Sequence, residues 1–338
     1  MEVNKTVLAV SLRRLAASAP PNISFIVLGV LAMAFNTWII VCIVKSKSLH
    51  TKCFSLLACN ASVDFLLGVS YGAIASTRLY RLYTGVGEVE TMWRCCWEAS
   101  LITFAQVISL SMSCALVIDR LTATLAPIKY KAWTHRQFTV PLVVAALCYA
   151  LAQSCVHFVD SWNERDRIVL TCGIEDTLSE HSLAVLMAVQ ITTSVVVVLG
   201  NGFLAIAVKR QKAKIHNAQT QDPIRSSQYE NERNDLKIFK TITVIVILHV
   251  VTHTGGRLIL AIVTSLTNDV QFQSLTSRYT RLLVVANAAI HFFILLSTSS
   301  QFRSAVKTSV NLKISSAAVI SAGPTVSPGS RALWFLGS

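Results

Sequence analysis

Residues 118–130 read IDRLTATLAPIKY, and the charged pair Asp119-Arg120 near its start closes a long apolar run. An Asp or Arg at the centre of a membrane helix costs about 2.5–3.5 kcal/mol, so a chain places such residues at helix ends or gives them a task. The run ahead of the pair covers 97–118. Similar runs lie on both sides of it, at 23–44, 54–77, 138–159, 183–208, 238–266 and 279–298. Each is close to the length that crosses a bilayer as a helix. Of the 338 residues 53% are hydrophobic and 14% charged, with a mean hydropathy of +0.56, whereas soluble domains are about 25% charged. The chain is therefore expected to be an all-α membrane protein, a bundle of seven transmembrane helices. The ten-residue alternation of a membrane β-barrel is absent.

The formal net charge of +13 follows the apolar runs instead of forming one basic face, so no nucleic-acid partner is expected. With the N-terminus outside, the inner segments carry nineteen Lys and Arg, the outer segments ten, and Arg257 lies within a run. That excess satisfies the positive-inside rule and predicts a multi-pass plasma-membrane protein with an inner C-terminus. Residues 1–22 read as an extracellular segment without the long apolar stretch of a signal peptide. Asn4-Lys5-Thr6 and Asn22-Ile23-Ser24 are glycosylation sequons on that side; Asn60-Ala61-Ser62 falls inside the second run and is discounted. Six of nine cysteines lie in or near apolar runs. Cys95 or Cys96, before the third run, and Cys172, between the fourth and fifth, lie on the oxidising side and predict one disulfide. No metal-ligand spacing and no nucleophile–base set stands out, so neither a catalytic residue nor a metal is expected.

The largest inner connection, 209–237, carries dense positive charge and reads as a contact for a partner or for membrane lipid, with a flexible middle over 219–227 around Pro223. After the last run, Phe302, Val306 and Val310 recur at i, i+4 and i+8, which predicts a short amphipathic helix on the inner membrane surface. Residues 311–338 are expected to be a disordered tail.

Seven such runs with Asn36, Asp64, Cys95, Asp119-Arg120, Pro127 and Cys172 in this order resemble the rhodopsin-like G-protein-coupled receptors. Asn36 and Asp64 are 28 residues apart, and Arg120 and Pro127 seven, as in that family, with Leu121 in place of the Tyr of its Asp-Arg-Tyr motif. Lys240-Thr241-Ile242 resembles the family's entry into the sixth helix. The chain is most similar to the nematode serpentine chemoreceptors of the SX class, and the resemblance covers 23–310. It implies a receptor for an extracellular ligand that activates a cytoplasmic heterotrimeric G protein. It also implies a Cys95–Cys172 disulfide, Asp64 bonded to Asn36 beside a sodium ion and waters, and Arg120 paired with Asp119 at rest.

Departures from the family pattern fall on the sixth and seventh helices. Thr252-His253-Thr254-Gly255 stands where the family has Cys-Trp-x-Pro, so His253 replaces Trp and Gly255 replaces Pro. The Asn-Pro-x-x-Tyr motif aligns either with Asn287–His291 or, by its distance to SSQFR, with His291–Leu295; the second alignment is favoured, and both lack the proline. Asn36, Asp64, His253, Asn287 and His291 are thus the expected intramembrane polar switch. Gln106, Arg257 and Arg281 are expected to line a ligand cavity. Two cationic groups without a nearby intramembrane acid point to a polar or anionic small molecule or a peptide end. Alternatives are a receptor-like protein that has lost signalling and, with less support, a small transporter or channel.

Overall fold

The computed structural model describes residues 5–86, 89–169, 172, 178–221, 226–267 and 269–309. Asn4, Pro223, Val310 and the tail at 311–338 lie outside them. The elements run α1 (Lys5–Ala17), α2 (Ala19–Lys45), a 3-10 turn (Lys47–Leu49), α3 (Lys52–Thr84), β1 (Glu90–Thr91), α4 (Met92–Leu125) and α5 (Pro127–Ala132). Then follow α6 (His135–Asn163), β2 (Ile168–Val169), α7 (Glu180–Gln221), α8 (Ser226–Leu266), α9 (Val270–Thr298) and α10 (300–309). Seven of these, α2, α3, α4, α6, α7, α8 and α9, are long and apolar enough to cross a membrane. The helices overrun the apolar stretches because the backbone keeps its internal hydrogen bonds past the point where the side chains turn polar.

The segment ahead of the first span is part of the fold. Residues 5–17 form a helix, with Ser11 and Leu15 buried one turn apart. Pro20 and Pro21 follow in the first turn of α2, where a missing N–H costs nothing. Asn22 is fully buried there and donates to Ser18 Oγ at 3.3 Å, which leaves no room for a glycan on its amide. The connection 209–237 is helical up to Gln221 and again from Ser226, within the stretch 219–227 expected to be flexible; residues 222–225, with Pro223, lie outside the described residues.

Packing places α4 at the centre. Of its apolar window 72% is buried, against 17% for α6 and 22% for α7, which turn most of their surface outward. The α2–α3 crossing depends on two glycines: a Cβ on Gly29 would stand 2.8 Å from the Gly68 carbonyl oxygen, and a Cβ on Gly68 equally close to that of Gly29. Small residues of this kind let membrane helices approach to backbone contact. Gly256 does the same on α8, where a Cβ would meet Thr280 of α9 at 3.1 Å.

At the end of the bundle that the charge count above makes the expected outer one, and that is called outer below, β1 pairs antiparallel with β2, Glu90 opposite Val169 and Thr91 opposite Ile168. The Cys95–Cys172 disulfide then ties this loop to the top of α4, while Cys96 stays a buried thiol. At the inner end Ser299 caps α10, its hydroxyl accepting from Phe302 N at 3.2 Å. Phe302 is fully buried against Phe292, Leu49 and Ile39, and Arg303 donates to the Leu296 and Ser297 carbonyls at the end of α9. The apolar face of α10 therefore docks on protein at Phe302, where the sequence pattern had it facing lipid.

Candidate functional site

Three polar centres lie along the bundle. The inner one grows from the end of α4. Thr124 returns its hydroxyl to the Arg120 carbonyl at 2.9 Å, and Pro127 starts the short α5, which brings Tyr130 back under α4. Arg120 folds onto its neighbour: Nε donates to Asp119 Oδ2 at 2.7 Å, and Nη2 reaches the same oxygen. Tyr130 donates to Asp119 Oδ1 at 2.8 Å and accepts from Arg120 Nη2 at 3.3 Å. The Asp119 side chain is fully buried and that of Arg120 is 11% exposed, so every charge in the set has its partner inside it. Burial first, and the adjacent Asp119 charge second, push the Tyr130 hydroxyl pKa upward, which keeps it a donor. Lys52 donates to the Tyr130 carbonyl and stands 4.3 Å from the centre of its ring. The sequence reading assigned Tyr130 and Lys52 no part; the position of Tyr130, three residues past Pro127, was the available signal.

The middle centre surrounds Asp64. Its Oδ2 meets His291 Nδ1 at 2.8 Å and accepts from Asn60 Nδ2 at 3.0 Å; its Oδ1 accepts from Ser109 Oγ at 3.4 Å. Asn36 does not reach it. The Asn36 amide donates to the Ala32 and Ala288 carbonyls at 2.9 and 3.0 Å and so ties α2 to α9. His291 is the α9 residue beside Asp64. Asn287 lies one turn away, its Nδ2 3.4 Å from His249 Nδ1, and His249 stacks on His253 with ring centres 5.1 Å apart. Every one of these side chains is buried.

The outer centre is split. Gln106 and Arg257 meet, with Nη2 3.3 Å from Oε1, and Arg257 Nη1 lies 3.5 Å from Met187 Sδ. Arg281 is in a different place. It lines a cavity of about 20 Å³ beneath Cys172, together with Arg78, Arg278, Phe25, Tyr71 and Ile102. Arg78 donates to the Cys172 carbonyl, so the disulfide loop forms part of the roof. Gln106 donates to the Tyr71 hydroxyl, which links the two halves of the centre. The sequence reading named Arg281 and missed Arg78 and Arg278. Arg278 is one turn before Arg281 on the same face of α9, a spacing that was legible.

Among the described residues no group of three or more His, Cys, Asp and Glu is arranged to hold a metal ion. The Asp64 shell also suits sodium poorly. A hard cation takes oxygen lone pairs, while the groups turned to this carboxylate are the amide nitrogen of Asn60, the ring nitrogen of His291 and a donating hydroxyl.

Residues 27–310 match the family model described as serpentine type 7TM GPCR chemoreceptor Srsx. Among curated proteins the chain is similar to trace amine-associated receptor 9 of Rattus norvegicus and of Mus musculus, 28% identical to each over 240 residues, and of Homo sapiens, 25% over 238. These alignments take in 66% of this chain and 66 to 68% of each relative, so the shared part is about two thirds of their length. A seven-helix bundle matched over all its spans fixes the assignment: the chain belongs to the serpentine seven-transmembrane G-protein-coupled chemoreceptor family Srsx.

Proposed function

We propose that this receptor works in the plasma membrane with its N-terminus outside. It takes a polar or anionic ligand at the arginine-lined outer cavity, which at about 20 Å³ holds one water and has to widen to admit it, and promotes nucleotide exchange on a heterotrimeric G protein at its inner end. The observation that carries the reading is the buried Asp119–Arg120–Tyr130 set at the inner end of the central helix, far along the bundle from the arginine-lined cavity. The excess of inner Lys and Arg supports the orientation. The resemblance implies that Arg120 leaves Asp119 when the inner end of α8 moves outward, so a ligand that favours the open arrangement shifts a two-state equilibrium. The basic connection 209–237 would then lie beside the G protein and anionic lipid headgroups.

The ligand class rests on Arg78, Arg278 and Arg281 around one cavity. The relatives' name associates them with trace amines. An ammonium about 5 Å from one guanidinium would be repelled by roughly 3 kcal/mol at an effective dielectric near 20, and a carboxylate would be attracted by as much. The three guanidinium groups, each of which already holds a partner, would thus suit an anion that exchanges with those partners. In cells reporting G-protein activation, carboxylates, phosphates and amines are screened, and hits are repeated on Arg78→Ala, Arg281→Ala and Arg120→Ala. The reading expects anionic hits, weakened by the first two changes and silenced by the third. Amine hits, or anionic hits indifferent to both cavity changes, would remove the ligand class. Signalling unaffected by Arg120→Ala would remove the coupling role.

A second reading, a receptor-like protein without signalling, draws on His253 and Gly255 where the resemblance expects Trp and Pro. Full surface expression with no G-protein activation by any ligand would favour it.

A further inference from the structure

We propose that the imidazole of His291 fills the place beside Asp64 that the family resemblance gives to a sodium ion, so that the core of this receptor does not bind sodium. A carboxylate 1% exposed in the middle of a membrane bundle needs compensation from its surroundings. Here that compensation comes from three helices of the chain itself. His291 of α9 and Asn60 of α3 face Oδ2 at 2.8 and 3.0 Å, and Ser109 of α4 faces Oδ1 at 3.4 Å. The contact with His291 requires a hydrogen between Nδ1 and Oδ2, whichever of the two atoms carries it. A cation brought to Oδ2 would have to displace that ring, and the ring has nowhere open to go: its side chain is 3% exposed.

Charge points the same way. On α8, His249 lies within electrostatic reach of both Asp64 and His291, with His253 stacked on it and Arg257 one turn beyond. The Asn60 amide and the Ser109 hydroxyl thus present donor hydrogens to this single carboxylate, and the His291 ring shares a hydrogen with it. Among the buried oxygens without a hydrogen-bond partner are those of Asn36, Asn60 and Asn287. Asn60 already turns its nitrogen to Asp64, and the amide of Asn36 is held by the Ala32 and Ala288 carbonyls.

The test needs neither ligand nor G protein, so it stands apart from the receptor reading above. Purified receptor in lipid nanodiscs is unfolded by heat in sodium chloride and in choline chloride of equal ionic strength, and retention of radioactive sodium is measured in parallel. The expected result is coincident midpoints and no saturable retention. His291→Asn, which removes the ring and leaves a short oxygen-bearing side chain, is expected to gain a sodium-specific rise in midpoint; His291→Gln serves if that variant does not fold. A saturable, sodium-specific rise in the wild type overturns the proposal. So does a folded His291 variant as indifferent to sodium as the wild type, because the ring would then not be what keeps the ion out.

Discussion

Tyr130→Phe removes one hydroxyl and little else. The ring keeps its edge contact with Phe138, centres 5.4 Å apart, and its place 4.3 Å from the Lys52 ammonium; the Tyr130 carbonyl still accepts from Lys52. What goes is the donor at 2.8 Å to Asp119 Oδ1 and the acceptor at 3.3 Å from Arg120. A hydrogen bond to a charged group is worth about 1.5–3 kcal/mol net. If Arg120 leaves this set on activation, as the resemblance implies, the loss falls on the closed arrangement alone. It should shift the closed-to-open ratio by roughly 10- to 160-fold, and an open population of about 1% would rise to roughly 10–60%. The assay is ligand-independent G-protein activation at matched surface expression, with Arg120→Ala as the silent reference. The reasoning is refuted if basal activity stays within twofold of the wild type while the variant reaches the surface normally. That outcome would mean the hydroxyl contributes equally to both arrangements, or that the set does not open.

Gly29→Ala drives a methyl to 2.8 Å from the Gly68 oxygen and should cost about 1–3 kcal/mol, read as a lower thermal midpoint of the purified receptor; Gly72→Ala, with open space around its Cβ, is the control and should be silent. Phe302→Ala should cost about 3–5 kcal/mol in the same measurement, because Phe302 is enclosed by protein; a near-neutral result would put that face of α10 against lipid after all. Cys95→Ser and Cys172→Ser should each cost about 2–5 kcal/mol, and the double variant no more than either alone, since all three lose the same bond. Cys96→Ser, a free thiol at the same helix end, should leave the disulfide detectable by thiol labelling.

The seven spans were legible because the bilayer imposes length and apolarity on each span independently, and the Lys/Arg asymmetry needs only a count. The order of Asp119-Arg120, Pro127 and the two cysteines was enough for the resemblance, and Cys95 and Cys172 are bonded in the structure. Polar partners inside the bundle were harder. His291 and Asp64 are 227 residues apart, and their meeting depends on how α3 and α9 are rotated about their axes. Hydrophobic periodicity does not encode that rotation in helices that are apolar on the lipid side and the core side alike. For that reason Asn36 was paired with Asp64 when it bonds the backbone of α9, and Gln106, Arg257 and Arg281 were grouped when Arg281 lies in a separate cavity with Arg78 and Arg278. The helix over Lys5–Ala17 was missed for another reason: a short, charged segment outside the spans carries little signal until Leu15 finds its place in the bundle.

The most direct test of the account is nucleotide exchange on a purified heterotrimeric G protein by the receptor reconstituted in lipid vesicles. Several G-protein classes would be compared, with wild type, Tyr130→Phe and Arg120→Ala side by side. The account predicts exchange above the protein-free rate for the wild type with at least one class, faster exchange for Tyr130→Phe, and the protein-free rate for Arg120→Ala. Equal rates for all three folded proteins with every class would contradict it.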